Sequence, residues 1–291
     1  MVDRLVIAVH GMGANGAGWS TAIRDKLDAV AGQYAAFKVG EPSFSSRIAF
    51  EEVCYDSVFQ RYVGKLADQK AEFSALLQKQ GALPDGPKWD PGPLLGWLTQ
   101  AGLPDAEAAK TFFWATLLDP VLYRGTRDVR EEVRASVMHQ ILGHIRKHNQ
   151  GQLYVSVLAH SLGTIVAHDV LHLIASDQAG AGSVFTAKQF TFDNLFMVAD
   201  VCVLGPPDLV QYHPRHPHYF VRPRTAGAPD QSAYEFCTER FFSFRHEWDP
   251  FVRWAPFDPA SWGKDWGENF ISPPPLTHWH EMNPHSFTHY L

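Results

Sequence analysis

Ser161 stands in Ala159-His160-Ser161-Leu162-Gly163, with a small residue two positions before it and a glycine two positions after. That spacing suits a hydroxyl nucleophile on a sharp strand-to-helix turn. Bulk at either flanking position would meet neighbouring backbone, and the strained corner lifts the side chain clear. A second reading of the same residues is a helix N-cap, in which the serine oxygen satisfies free amides ahead of Leu162-Gly163-Thr164-Ile165-Val166. A further chemistry-bearing stretch is His10-Gly11-Met12-Gly13-Ala14-Asn15-Gly16, whose glycines let backbone approach a ligand closely. Gly11, Gly13 and Gly16 also spell the dinucleotide-binding spacing. That fingerprint requires an acidic residue about twenty positions on, and Glu41, in Gly40-Glu41-Pro42, comes late for it.

These residues need elements to hold them. Residues 153–158 read as a buried strand that delivers the serine corner, and residues 162–175 as the helix that leaves it. Residues 5–9 are a continuous apolar run, the pattern of a strand buried on both faces, opening into the glycine loop. A helix over 20–31 is expected, with Ser20 as cap and Ile23, Leu27 and Val30 on one face. Strands are expected over 34–39, 48–55, 195–204 and 241–244. A long amphipathic helix is expected over 127–148, with Val133, Val137, Met138, Ile141, Leu142 and Ile145 inward and its arginines outward. Strands alternating with helices predict an α/β fold around a mostly parallel central sheet flanked by helices.

With that frame in place, the serine corner resembles the nucleophile elbow of the α/β-hydrolase superfamily, of the esterase and lipase-like kind. It departs in Ala159, where the commonest form of the motif has glycine. The resemblance implies an α/β-hydrolase fold in which Ser161 is the nucleophile and the backbone amides of Met12 and Leu162 form the oxyanion hole. It places the triad acid at Asp249, in His246-Glu247-Trp248-Asp249-Pro250, with Asp208 as the fallback. Proline there would stop the strand and set the carboxylate on a turn at the sheet's C-terminal edge. An ordinary N-cap aspartate is the competing reading. The resemblance places the base at His285, in Asn283-Pro284-His285-Ser286-Phe287, ahead of His289 and His280.

About 150 residues separate His10 from Ser161, roughly twice what the core of that family needs there. The excess is assigned to a helical cap inserted at 56–125, with the hydrolase core at 1–55 and 126–291. Phe59, Tyr62, Val63, Leu66, Phe73, Leu76 and Leu77 recur at helical spacing, a second helix is expected over 105–118, and a proline-rich connector fills 81–104. The insert would carry Trp89, Trp97 and Trp114 to an apolar pocket, unless those rings only fasten it to the core. His10, His160 and Trp114 are expected to line the substrate site.

The 291 residues suffice for one large α/β domain with an insertion, and 45% hydrophobic content fits a folded globular protein. A net charge of −6 without a basic cluster argues against a nucleic-acid partner or an anionic membrane surface. The first apolar run is too short for a signal peptide, and no stretch approaches the roughly 18 apolar residues of an integral membrane segment. Cys54, Cys202 and Cys237 lack metal or redox spacing, which suits a reducing cytoplasm. His213, His216 and His218 alternate with prolines and other residues without a cysteine or acidic partner, so no metal is assigned, and no cofactor is expected. The expected activity is hydrolysis of a small-molecule carboxylic ester with an apolar acyl or aromatic group, through an acyl-enzyme. A thioesterase or amidase on the same residues, a nucleotide-binding oxidoreductase and an inactive binding module are the alternatives.

Overall fold

Apolar runs that leave neither face for water dictate a sheet covered on both sides. The computed structural model describes residues 4–12, 15–34, 44–67, 118–148, 152–175, 191–204, 219–225, 236–254, 256–278 and 285–290. Its strands are β1 (Arg4–Val9), β2 (Ile48–Val53), β3 (Tyr154–His160), β4 (Phe192–Val198), β5 (Thr238–Phe244) and β6 (Phe270–Ile271). They lie in the order β2-β1-β3-β4-β5-β6, every neighbouring pair parallel. The described helices are α1 (Thr21–Ala31), α2 (Phe44–Arg47), α3 (Asp56–Ala67), α4 (Leu118–Gly125), α5 (Arg127–His148), α6 (Leu162–Ala175) and α7 (Pro250–Trp254).

Register explains the core. Leu5, Ile7 and Val9 pair with Val155, Val157 and Ala159, and the last two pair with Leu195 and Met197. Paired residues of parallel strands face the same way, and all of these are buried. Helix α5 meets the sheet with Val129, Val133, Val137, Ile141 and Ile145, a stripe recurring every four residues that is fully buried. Each such side chain contributes about 1.5–3 kcal/mol of apolar burial.

Three local expectations change, and one strand was not expected. The fourth strand spans Phe192–Val198 rather than 195–204, because Ala199 turns to φ 50° and residues Cys202–Leu204 form a 3-10 turn. Arg130 and Arg134 of α5 point inward, not outward. Arg134 grips Asp169 of α6 with two hydrogen bonds of 2.9 Å, and Tyr123 donates to the same carboxylate at 2.5 Å, so the buried charge is paired. Ser20 does not cap α1 through its side chain. Its hydroxyl and amide both donate to Glu52 Oε1, at 2.6 and 2.7 Å. The sixth strand, only two residues long, had no signal in the sequence pattern. It is held by the rings of Phe241, Phe257, Trp266 and Phe270, whose centroids lie 5.3–6.1 Å apart.

The ends of the 56–125 stretch join the same core, α3 through Val58 and Phe59 and α4 through Leu122 and Tyr123. The helix expected over 105–118, apart from its last residue, the connector over 81–104 and Trp89, Trp97 and Trp114 lie outside the described residues. So do residues 35–39 of the expected second strand. Among the described residues, no helix is long and apolar enough to cross a membrane.

Strand order turns over between β1 and β3. The chain leaves β1 for β2 on one side and leaves β3 for β4 on the other. The ends of two strands that diverge in this way frame a crevice at their C-terminal edge.

Candidate active site

Ser161 occupies that crevice, where β3 passes into α6. Its backbone is left-handed, with φ 54°, a conformation that L residues adopt at a cost of about 1–3 kcal/mol when their surroundings enforce it. Here they do. The Ser161 amide donates to Val198 O at 3.1 Å, and its carbonyl accepts from the Thr164 amide at 2.8 Å and hydroxyl at 2.7 Å. A Cβ on Gly163 would stand 2.3 Å from His10 O and 2.6 Å from Val9 O. Only glycine fits there, because the helix starts against the backbone at the end of β1. Gly11 is tight for the reciprocal reason, since an added Cβ would lie 3.0 Å from both His160 Nδ1 and Ser161 Cβ.

His285 and Asp249 arrive from the far end of the sheet, after β6 and β5. His285 Nδ1 lies 2.7 Å from Asp249 Oδ2, and its Nε2 lies 2.6 Å from Ser161 Oγ. A carboxylate only accepts, so Nδ1–H donates to Asp249 and Nε2 is left to accept the Ser161 proton. Asp249 is fully buried. Its Oδ1 accepts from the Phe251 and Val252 amides at 3.0 and 3.4 Å, so it caps α7 while its Oδ2 holds His285. One side chain therefore both caps a helix and holds the imidazole. Burial pushes its carboxyl up. The charge and hydrogen bond of His285, the Tyr290 hydroxyl and the Val252 amide outweigh this and hold it below the usual carboxylate value.

Two contacts go beyond the sequence reading, one of them made by His160, which also borders the cleft beside Ser161 as expected. Tyr290, in the 3-10 turn Phe287–Tyr290 just after the base, donates its hydroxyl to Asp249 Oδ2 at 2.6 Å. His160 donates from Nε2 to His285 O at 2.9 Å and stacks on Phe287 at 4.8 Å. Burial, reinforced by neighbouring His285, lowers the His160 imidazole to a pKa of about 3, so it stays neutral. An aromatic residue close after a histidine is too common to have marked either contact.

Of the other site residues, Leu162 follows Ser161 as the first residue of α6, and Met12, on the loop leaving β1, borders the same cleft as Ser161. His10 borders the cleft but is pinned, with Nδ1–H donating to Gly11 O at 2.6 Å and its ring stacked 4.1 Å from that of Tyr55. Its Nε2 lies 3.5 Å from Asp56 Oδ1. Burial dominates both groups, lowering His10 to about 4 and raising Asp56 to about 7. Trp114, Asp208, His213, His216, His218 and His280 lie outside the described residues, and of His289 only the backbone is described.

A cleft of about 260 Å³ opens beside Ser161, bordered by His10, Met12, Asn15, Trp19, Ile23 and Phe287. A larger cavity of about 410 Å³ lies against another part of the sheet and borders none of Ser161, His285 and Asp249. The smaller cleft is the one next to a reactive group. No protein-family model, curated protein or solved structure matches this chain, so the reading of the site rests on its geometry.

Proposed function

We propose that this protein is a serine hydrolase of the α/β-hydrolase type that cleaves small-molecule carboxylic esters. The observation that carries the reading is the unbroken hydrogen-bonded chain from Asp249 through His285 to Ser161. It starts from a strained corner at a sheet edge, where both α/β sheets and nucleophile elbows place their chemistry.

In this mechanism His285 Nε2 takes the Ser161 proton as Oγ attacks the ester carbonyl. Asp249 keeps the imidazole in the competent tautomer and stabilises its cation. The Met12 and Leu162 amides donate to the developing oxyanion, the second at a helix N-terminus whose dipole favours negative charge. The alcohol leaves with the proton from His285, forming the acyl-enzyme. Water, deprotonated by the same nitrogen, then releases the acid and restores Ser161.

Glycine use also supports this reading over nucleotide binding. The close approach of Gly11 is to Ser161 and His160, whereas nothing lies within 4 Å of a Cβ added to Gly16, and α1 begins only at Thr21. A dinucleotide fingerprint requires its third glycine for tight helix–strand packing. The stretch 56–125 is proposed as the cap over the cleft, anchored at its ends by α3 and α4. Three free cysteines support a reducing, cytoplasmic setting.

The test is labelling with a fluorophosphonate probe and turnover of a short-chain aryl ester. Wild-type protein should label at one serine, and Ser161→Ala should lose both labelling and nearly all turnover, a drop of about 10⁴-fold or more. Labelling that persists in the variant would remove Ser161 as nucleophile.

A further inference from the structure

Behind the cleft the core holds a second group of polar side chains that the hydrolytic reading does not use. His168 of α6, Asp200 and Cys202 on the segment leaving β4, and Tyr219 are each at most 7% exposed. The imidazole, carboxylate and thiol each present one ligand atom, all within 4.8 Å of one another. We propose that His168 Nε2, Asp200 and Cys202 Sγ form a binding site for a divalent transition metal of the zinc class, tying the exit of β4 to α6.

Three features point to a metal rather than to packing alone. The donor set is one nitrogen, one carboxylate oxygen and one sulfur, which matches the borderline preference of Zn²⁺ and Co²⁺ and suits neither calcium nor magnesium. His168 Nε2 and Asp200 Oδ2 are 3.1 Å apart. Two such ligands on a tetrahedral ion at ~2.1 Å stand about 3.4 Å apart, so the pair needs only a small opening. Sulfur at ~2.3 Å would stand about 3.6 Å from each, so the thiol side of the triangle closes by no more than about 1.2 Å.

The outward atoms of the ligands are also fixed. Tyr219 OH is hydrogen-bonded to His168 Nδ1, and Asp200 Oδ1 accepts from the Cys202 amide at 2.9 Å. Ligating imidazoles and carboxylates are oriented in this way by groups behind them. Without an ion Nε2–H donates to Asp200 Oδ2 and Nδ1 accepts from Tyr219; on binding the imidazole proton moves to Nδ1, where it donates to the Tyr219 oxygen, and the Nε2 lone pair goes to the ion. As the S–metal bond forms, the Cys202 thiol gives its proton to water. A hydrogen-bonded cluster of this kind could be replaced by apolar side chains at little cost in stability, which leaves its presence unexplained by packing.

The position gives the site a structural consequence. His168 lies two turns along the helix that begins just after Ser161, and the segment carrying Asp200 and Cys202 is already stitched to that helix by Val201 N donating to Thr164 Oγ1 at 3.1 Å. The inference does not depend on the hydrolase reading, and its readouts are independent of turnover.

The test begins with full-length protein produced in zinc-supplemented medium, desalted and assayed by elemental analysis. About one zinc per chain is expected, and less than a tenth would overturn the proposal. Protein produced with cobalt should show a thiolate-to-cobalt charge-transfer band and the visible bands of a tetrahedral ion. Cys202→Ala should lose the charge-transfer band. The double variant Cys54→Ala, Cys237→Ala, which keeps Cys202 as the sole thiol, should retain it. A wild-type spectrum without the band, a band surviving in Cys202→Ala, or a band lost from the double variant while it remains folded by circular dichroism would each refute the site.

Discussion

Tyr290 and His285 share one oxygen of Asp249: the hydroxyl donates to Oδ2 at 2.6 Å and the imidazole Nδ1–H to the same atom at 2.7 Å. The six residues 285–290 therefore supply the proposed base and fix the proposed acid that orients it. Removing the hydroxyl takes away one of the contacts that fix the carboxylate and, through it, the imidazole. Tyr290→Phe should lower kcat by about tenfold, with KM little changed. Stability should fall by about 1 kcal/mol. A kcat equal to that of wild type would show that Tyr290 has no hold on the dyad.

Gly163 tests the close approach of α6 to β1. A methyl group there meets two backbone carbonyls, of Val9 and His10, rather than a side chain that can move aside. Gly163→Ala should cost about 3 kcal/mol or more in urea unfolding and displace Ser161 from His285. Stability within 0.5 kcal/mol of wild type, a range of about the usual surface-substitution effect, would mean that the strands and helix are not so tightly met.

His160 predicts acid sensitivity. Its folded pKa of about 3 lies below the ordinary 6.5, so the unfolded chain binds the extra proton first. The stabilising contribution is complete above about pH 6.5 and is lost as pH falls from there towards 3. His10, lowered to about 4, acts in the same direction, while Asp56, raised to about 7, acts in the opposite one. His160→Gln retains a donor for the His285 carbonyl and removes the titration. Its stability relative to wild type should improve by roughly 2–3 kcal/mol on going from pH 7 to pH 4.5, read from urea midpoints. A difference independent of pH would contradict a neutral buried imidazole.

Arg134 is a buried cation held by Asp169 through two hydrogen bonds. Asp169→Asn should destabilise by about 3–5 kcal/mol because the guanidinium stays buried without its counter-charge, whereas the Arg134→Met, Asp169→Leu pair should recover most of the loss. A double variant no better than Asp169→Asn would show that the pair contributes more than charge balance.

Much of the scaffold was legible because its signals are local. Residues 127–148 carry an apolar stripe recurring every four residues, and the helix found there has those bounds. Leu5 to Val9 and residues 154–160 are apolar enough to need cover on both faces, which only a buried parallel sheet gives. The corner Ala159-His160-Ser161-Leu162-Gly163 was legible because a left-handed serine flanked by close backbone leaves a compositional mark at each neighbour. The end of β4 was misplaced because residues 199–204, apolar but for Asp200, look the same in a strand as in a buried turn.

What the sequence by itself determined is where the backbone must be extended, helical or sharply turned, since those demands are met by residues a few positions apart. Tertiary structure decided which distant groups meet: His285 among the late histidines on Ser161, Tyr290 on Asp249, His160 on the base's own carbonyl, and Arg134 turned inward to Asp169. Such pairings span 35 to 125 positions along the chain. Hydrogen bonds between side chains carry no period and leave no trace in spacing, so only the packing of the sheet and its helices selects them.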